Sequence, residues 1–201
     1  ELRGVPQNQF LFGWSSQRII HAAFDRHAAS GCISKPGPLV MFIAATDQDA
    51  AGMIETSTDE HFMRQALREA EQAFKSDEVP VGAVIVCQDR VIARAHNLTE
   101  RLNDVTAHAE MQAITSAAGH LGGKYLKDCT LFVTVEPCPM CAGALSWAQM
   151  GRVVFGAFDE KAGYRRMGAR MLHPRTQVIG GVLEAECADL MKAFFKKKRA
   201  L

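Results

Sequence analysis

From Phe62 onward the apolar positions of this chain alternate between two periods. Phe62, Met63, Ala66, Leu67, Ala70, Ala73 and Phe74 recur at three- and four-residue spacing and so share one face of a helix. Ser57-Thr58-Asp59-Glu60, just upstream, has the side chains of a capping box, which predicts a helix starting there and ending near Ser76. An extended run through Cys87 turns at Gln88-Asp89 and returns over 90–95, the pattern of a β-hairpin. Residues 97–105 are polar and read as a loop, followed by a helix over 108–119. Gly122, Gly123 and Asp128 mark a second loop. A buried strand over 130–135, a helix to about Met150 and a strand over 152–157 come next. Residues 158–176 are loop-like, and a last strand over 177–182 precedes a helix over 185–199, whose apolar face carries Leu190, Met191, Phe194 and Phe195.

Helices alternating with strands in this order predict an α/β protein with a central sheet covered on both faces. Right-handed crossovers would bring the helix after 108 and the helix after 138 side by side, with their N-termini at one edge of the sheet. Residues 1–52 show no sustained period, because Gly, Ser, Pro and Asn interrupt their apolar stretches. They are left as an unassigned N-terminal extension, and the working domain is taken as 53–201.

Composition narrows the class. The chain has 201 residues, 48% of them hydrophobic, and a formal net charge of +1. That is enough for one good core without a second. No stretch approaches the roughly 20 apolar residues of a membrane span, so no membrane role is expected. The 6 cysteines are scattered rather than framed in pairs, which suggests a reducing compartment and a cytoplasmic protein. The near-neutral total hides an asymmetry. From Lys161 to the end, Lys161, Arg165, Arg166, Arg170, Arg175, Lys192, Lys196, Lys197, Lys198 and Arg199 face only Glu184, Glu186 and Asp189. A basic end of this kind is an electrostatic footprint for a polyanion.

The candidate chemistry lies in two short stretches. Cys138 and Cys141 stand three residues apart after a proline, at the start of a helix, where exposed N–H groups favour thiolate. A lone C-x-x-C also fits a redox dithiol, half of a four-ligand structural zinc site, or two core cysteines. The structural site would need another close Cys/His pair, and Cys32, Cys87, Cys129 and Cys187 sit singly. Upstream, Thr106-Ala107-His108-Ala109-Glu110 supplies one imidazole and, two residues on, a carboxylate. One histidine and two cysteines leave a coordination position open, the mark of catalytic rather than structural zinc. Such an ion brings the pKa of a bound water to about 7. Glu110 is then the proton shuttle rather than a fourth ligand. H-A-E followed by P-C-P-M-C is also the signature of the zinc deaminases.

Over residues 53–201 the chain resembles the bacterial tRNA-specific adenosine deaminase family, within the cytidine-deaminase-like superfamily. The matching stretches are EVPVGA from Glu78, Asn97, Asp104, TAHAE from Thr106, EPCPMCAGA from Glu136, RVVFGA from Arg152, Asp159, and the ending around Phe194-Phe195. The resemblance implies a three-layer α/β/α fold with a mixed five-stranded central sheet, one zinc ion per subunit on His108, Cys138 and Cys141, and catalysis by Glu110. It further implies hydrolysis of the wobble adenosine of a tRNA anticodon to inosine by a homodimer. By matching position, Asn97 and the backbone N–H of Ala109 would contact the target nucleoside, and Asp159 would lie near a flanking nucleotide. The chain departs from the family at 161–174, where AGYRRMGARMLHP replaces a small-residue segment. Two other readings share some of these motifs. One is a zinc-dependent deaminase of free guanine, adenosine or cytidine; the other is a non-catalytic, zinc-stabilised RNA-binding subunit, which would have no need of Glu110.

Overall fold

The computed structural model describes residues 47–167 and 170–200, and of 47–57 the backbone path only. The expected extension over 1–52 therefore falls almost entirely outside the described residues. The chain opens with α1 (Asp47–Lys75), the hairpin strands β1 (Gly82–Cys87) and β2 (Arg90–His96), and a short α2 (Thr99–Leu102). It continues through α3 (Ala109–Leu121), β3 (Cys129–Val135), α4 (Pro139–Trp147), β4 (Arg152–Ala157), β5 (Gln177–Gly180) and α5 (Glu184–Arg199). The strands form one sheet in the order β2-β1-β3-β4-β5. β1 runs antiparallel to both β2 and β3, whereas β3, β4 and β5 are mutually parallel, so the sheet is mixed.

The central strands β1, β3 and β4 are buried on both faces, which is why β1 and β3 read as near-continuous apolar runs rather than alternating ones. Ala83, Ile85, Leu131, Val133, Val153 and Phe155 point to one side and pack under Ala113 and Ala117 of α3 and Leu145 of α4. Val84, Phe132 and Val154 point to the other, under Phe62, Met63 and Ala66 of α1 and Cys187 of α5. The result is the three-layer arrangement. α1 lies so close to the sheet that a Cβ at Gly82 would sit 2.1 Å from the Ala66 carbonyl oxygen, so only glycine fits there. Asp59 and Arg152 tie α1 to the start of β4 with two parallel hydrogen bonds of 2.7 and 2.5 Å.

Several boundaries differ from those expected. The first helix does not start at Ser57: its backbone is helical from Asp47. The segment upstream, DQDAAGMIET, is free of proline and rich in helix formers, so the capping-box side chains fall inside a longer helix. The α4 helix stops at Trp147 rather than Met150, because Gln149 takes a left-handed conformation (φ 51). β5 ends at Gly180, two residues early, where the Gly181 N–H turns back to the Phe155 carbonyl. Two segments read as loops contain short helices, α2 and a 3-10 turn over Tyr164–Met167. The hairpin turn is as expected, with Gln88 and Asp89 both at positive φ (50 and 57), the geometry of a two-residue type I′ turn.

Candidate active site

The two chemical stretches meet where α3 and α4 begin. His108 is the N-cap of α3 and Cys138 the N-cap of α4, both in extended conformation, with Pro139 at the first helical position and Cys141 in the first turn. Proline suits that position because its missing N–H would be unpaired there anyway. β4 runs parallel to β3, and α4 between them packs on the face already occupied by α3, as expected from the chain order. His108 Nδ1 lies 3.7 Å from Cys138 Sγ and 3.6 Å from Cys141 Sγ.

These spacings fit zinc. With bonds of about 2.3 Å to sulfur and 2.0–2.1 Å to nitrogen, the nitrogen–sulfur edge of a tetrahedral site is about 3.6 Å. Among the described residues this is the one group of three or more His, Cys, Asp or Glu whose candidate ligand atoms lie within 4.8 Å of one another. His96 instead faces Glu69 at 3.3 Å, His61 faces Gln65 at 3.0 Å, and His173 Nδ1 accepts the Arg175 N–H. The electrostatics suit a cation too. Cys138 is pulled down to about 4, first by the Cys141 thiol donating to it and then by His108. The same pairing pushes Cys141 up, and its burial adds to this. One sulfur is thus readily a thiolate, and the second resists ionising beside it until a cation compensates. The hydrogen bond to Cys138 also raises the His108 pKa, against the effect of burial.

Glu110, one residue into α3, is 3% exposed, and its Oε2 is buried without a hydrogen-bond partner among the described residues. Burial is the main reason that its carboxyl is pushed up to about 7. A carboxyl poised near neutrality can both take and give a proton at physiological pH. His108, Glu110 and Cys138 open into a cleft of about 760 Å³ that is also lined by Asn97 and Asp159.

The remaining expected residues fall as follows. Asn97 is buried, and its side-chain NH2 donates to Glu78 (3.3 Å) and to Thr99 (2.9 Å). Ala109 is the first residue of α3; its side chain is fully buried in the core, and its N–H is one of the four at a helix start without an intrahelical partner. Asp159 follows β4, and its Oδ1 accepts the N–H groups of Lys161 and Ala162 at 2.9 and 3.0 Å. The basic end of the chain divides. Lys192, which also pairs with Asp189 at 3.0 Å, and Arg199 line the cleft. Lys197 and Lys198 instead pair with Asp77 at 3.5 and 2.6 Å, and the Lys198 hydrogen bond lowers the Asp77 pKa.

Sequence reasoning missed two aromatics of this cleft, Phe158 and Phe195, which are 39% and 42% exposed. The Arg165 guanidinium lies 4.9 Å from the Phe158 ring centroid, in cation–π range. Phe195 could have been flagged as an aromatic among the C-terminal cations. Phe158 has no such local signal.

The fold and this site together describe a zinc-dependent deaminase of the cytidine-deaminase-like class. Residues 56–157 match the family described as the cytidine and deoxycytidylate deaminase zinc-binding region. The tRNA-specific adenosine deaminase of Bacillus subtilis is 45% identical over 146 residues, which is 70% of this chain and 91% of the relative. That of Agrobacterium fabrum is 46% identical over 144 residues, 69% of this chain and 95% of the relative. A structure from a study of A-to-I editing by tRNA:A34 deaminases at the wobble position superposes with a TM-score of 0.61. It is 46% identical in sequence, covering 65% of this chain and 98% of that one. The chain belongs to the tRNA-specific adenosine deaminase family and, with it, to the zinc-binding deaminases.

Proposed function

We propose that this chain hydrolyses the wobble adenosine of a tRNA anticodon to inosine, with release of ammonia. The observation that carries this reading is the buried Glu110 carboxyl beside the His108, Cys138 and Cys141 cluster, in a cleft rimmed by aromatic and cationic side chains. His108, Cys138 and Cys141 would hold the zinc, which when bound makes a water nucleophilic at neutral pH. Glu110 takes the first proton of that water on a carboxylate oxygen and delivers it to the ring nitrogen beside the carbon under attack. It then moves the proton of the hydroxyl on that carbon to the departing amine, so that water and adenosine become inosine and ammonia.

Asn97, the N–H of Ala109 and Asp159 serve as substrate contacts in this reading. A base must leave its stack to reach such a pocket, and an anticodon loop offers splayed bases at low cost. Phe158 and Phe195 offer faces for stacking, and Lys192, Arg165 and Arg199 offer charge for the phosphates. The working unit is 53–201, acting in the cytoplasm as a homodimer. The scattered cysteines support a reducing compartment. No described helix is long and apolar enough to cross a membrane. Trp147 of α4, 86% exposed, supports a face covered by a second copy.

The test is inosine formation by zinc-loaded protein on an anticodon stem-loop with adenosine at the wobble position, beside free guanine, adenosine and cytidine. Inosine in the RNA alone, lost when the wobble base is changed, is the expected result. Ammonia from a free base or nucleoside with inert RNA would reassign the substrate.

A further inference from the structure

We propose that two buried carboxylates outside the zinc cluster, Glu78 and Glu136, are positioning residues that each hold one wall of the cleft in place. Glu78 follows α1 and is fully buried, yet among the described residues it has no cation in ion-pair range. Its partners are all on the Asn97–Arg101 wall. Oε1 accepts the Arg101 N–H at 2.7 Å; Oε2 accepts the Glu100 N–H at 3.2 Å, the Thr99 hydroxyl at 3.3 Å and the Asn97 amide at 3.3 Å. Glu100 and Arg101 are the second and third residues of α2, whose N–H groups a capping side chain normally satisfies. The N-cap of α2 is Leu98, which makes no side-chain cap. A four-residue helix cannot sustain itself, so a carboxylate from twenty residues upstream supplies both the acceptors and the negative charge that its N-terminus favours. Because a carboxylate only accepts, it also turns the Asn97 side chain with its NH2 inward. Asn97 and Thr99 both line the cleft.

Glu136 does the same for a second wall of the cleft. It stands directly after β3, is 5% exposed, and accepts the N–H groups of Arg165 at 3.0 Å and Asp159 at 3.4 Å. The loop closes over it because residue 163 is glycine: a Cβ there would lie 2.5 Å from the Glu136 carboxyl carbon. Asp159 and Phe158, carried by that loop, line the cleft. Stability alone does not favour burying two carboxylates, since apolar groups of similar shape cost less. Each instead fixes irregular backbone beside the cleft.

The kinetic part of this inference rests on the proposed tRNA reading, and the structural part does not. Glu78→Gln and Glu136→Gln keep side-chain size but turn an NH2 toward at least one N–H donor. Zinc-loaded variants are compared with the parent by hydrogen–deuterium exchange, zinc content, and kcat and KM on the stem-loop. Glu78→Gln should speed exchange over 98–104 and leave 158–167 alone, and Glu136→Gln should do the reverse. Both should retain zinc, with KM up by about tenfold or more from the loss of one buried charged hydrogen bond and kcat changed by less than KM. Should a Gln variant not fold, Thr99→Val removes only the hydroxyl donor on one wall, and Glu136→Asp draws the carboxylate back by one methylene on the other without removing its charge. Each should reproduce the segment-specific exchange. Exchange that stays slow in both segments, or that rises equally across β1 and β3, would overturn the proposal. If the parent is inactive on the stem-loop, the substrate reading fails while the exchange data still decide the role of the two carboxylates.

Discussion

Glu110 is held in a state that costs the fold stability, and that cost can be measured. In the metal-free protein its carboxyl is raised from the ordinary 4.5 to about 7 by burial, with Oε2 left without a hydrogen-bond partner among the described residues. Between those two values the folded chain binds more protons than the unfolded one, so stability falls as pH rises through this window and levels off above about 7. At about 1.4 kcal/mol per pKa unit, the gap amounts to about 3 kcal/mol. Glu110→Gln keeps the shape and removes the titration. Urea unfolding of chelator-treated parent and variant at pH 5 and pH 8 reads the effect, because titrating groups remote from Glu110 cancel in the difference, while His108, Cys138 and Cys141 titrate together with it. The variant should gain about 2–3 kcal/mol on the parent between those pH values, while losing about a hundredfold or more of its turnover once zinc is restored. A stability difference that does not change with pH would refute the buried-carboxyl argument. Full turnover in the zinc-loaded variant would remove Glu110 from the mechanism.

His108→Ala should abolish stoichiometric zinc binding, read by metal analysis, and with it the roughly 2.7 kcal/mol of stabilisation that zinc at a hundred times its Kd confers on the parent. Breaking the Asp59–Arg152 pair with Asp59→Asn or Arg152→Met should cost about 3 kcal/mol in urea unfolding, because each leaves a partly buried partner without its full set of bonds. The double variant should cost clearly less than the sum, and strict additivity would mean that the pair is not coupled. Lys192→Ala with Arg199→Ala should lower the salt slope of tRNA binding by about 0.7 for each phosphate no longer neutralised. Lys197→Ala with Lys198→Ala should change it less, since neither lines the cleft and both pair with Asp77; equal effects would contradict that division. Trp147→Glu should convert the proposed homodimer to a monomer in sedimentation; a parent that is itself monomeric would refute the dimer, and a variant of unchanged mass would place the interface elsewhere.

The elements of this protein that were legible in its sequence are those whose signals are local. The hairpin turn at Gln88-Asp89, the strands around Phe132 and Val154, and the zinc cluster rest on periodicity, turn chemistry and ligand type, each readable within a few residues. The juxtaposition of His108 with Cys138 followed from handedness, because a parallel crossover has one allowed sense. Signals of the same local kind misled at Ser57, where a capping-box pattern lies inside a helix whose upstream residues are also good helix formers. At Lys197 and Lys198 a run of like charge hid a partner, Asp77, more than a hundred residues away.

The two carboxylates at the cleft walls lay furthest from view, and for a physical reason. In EVPVGA and EPCPMC, Glu78 and Glu136 look like ordinary acidic residues beside a helix end and a strand end. Their acceptors matter only because α2 begins at an apolar N-cap and because Gly163 leaves room for the chain to fold over a carboxylate. Neither condition is stated near the glutamates themselves. A buried charge satisfied by the backbone amides of a distant segment has no sequence period and no fixed spacing. It is found only once the question of where each N–H of a short helix finds its acceptor has been asked of the folded chain.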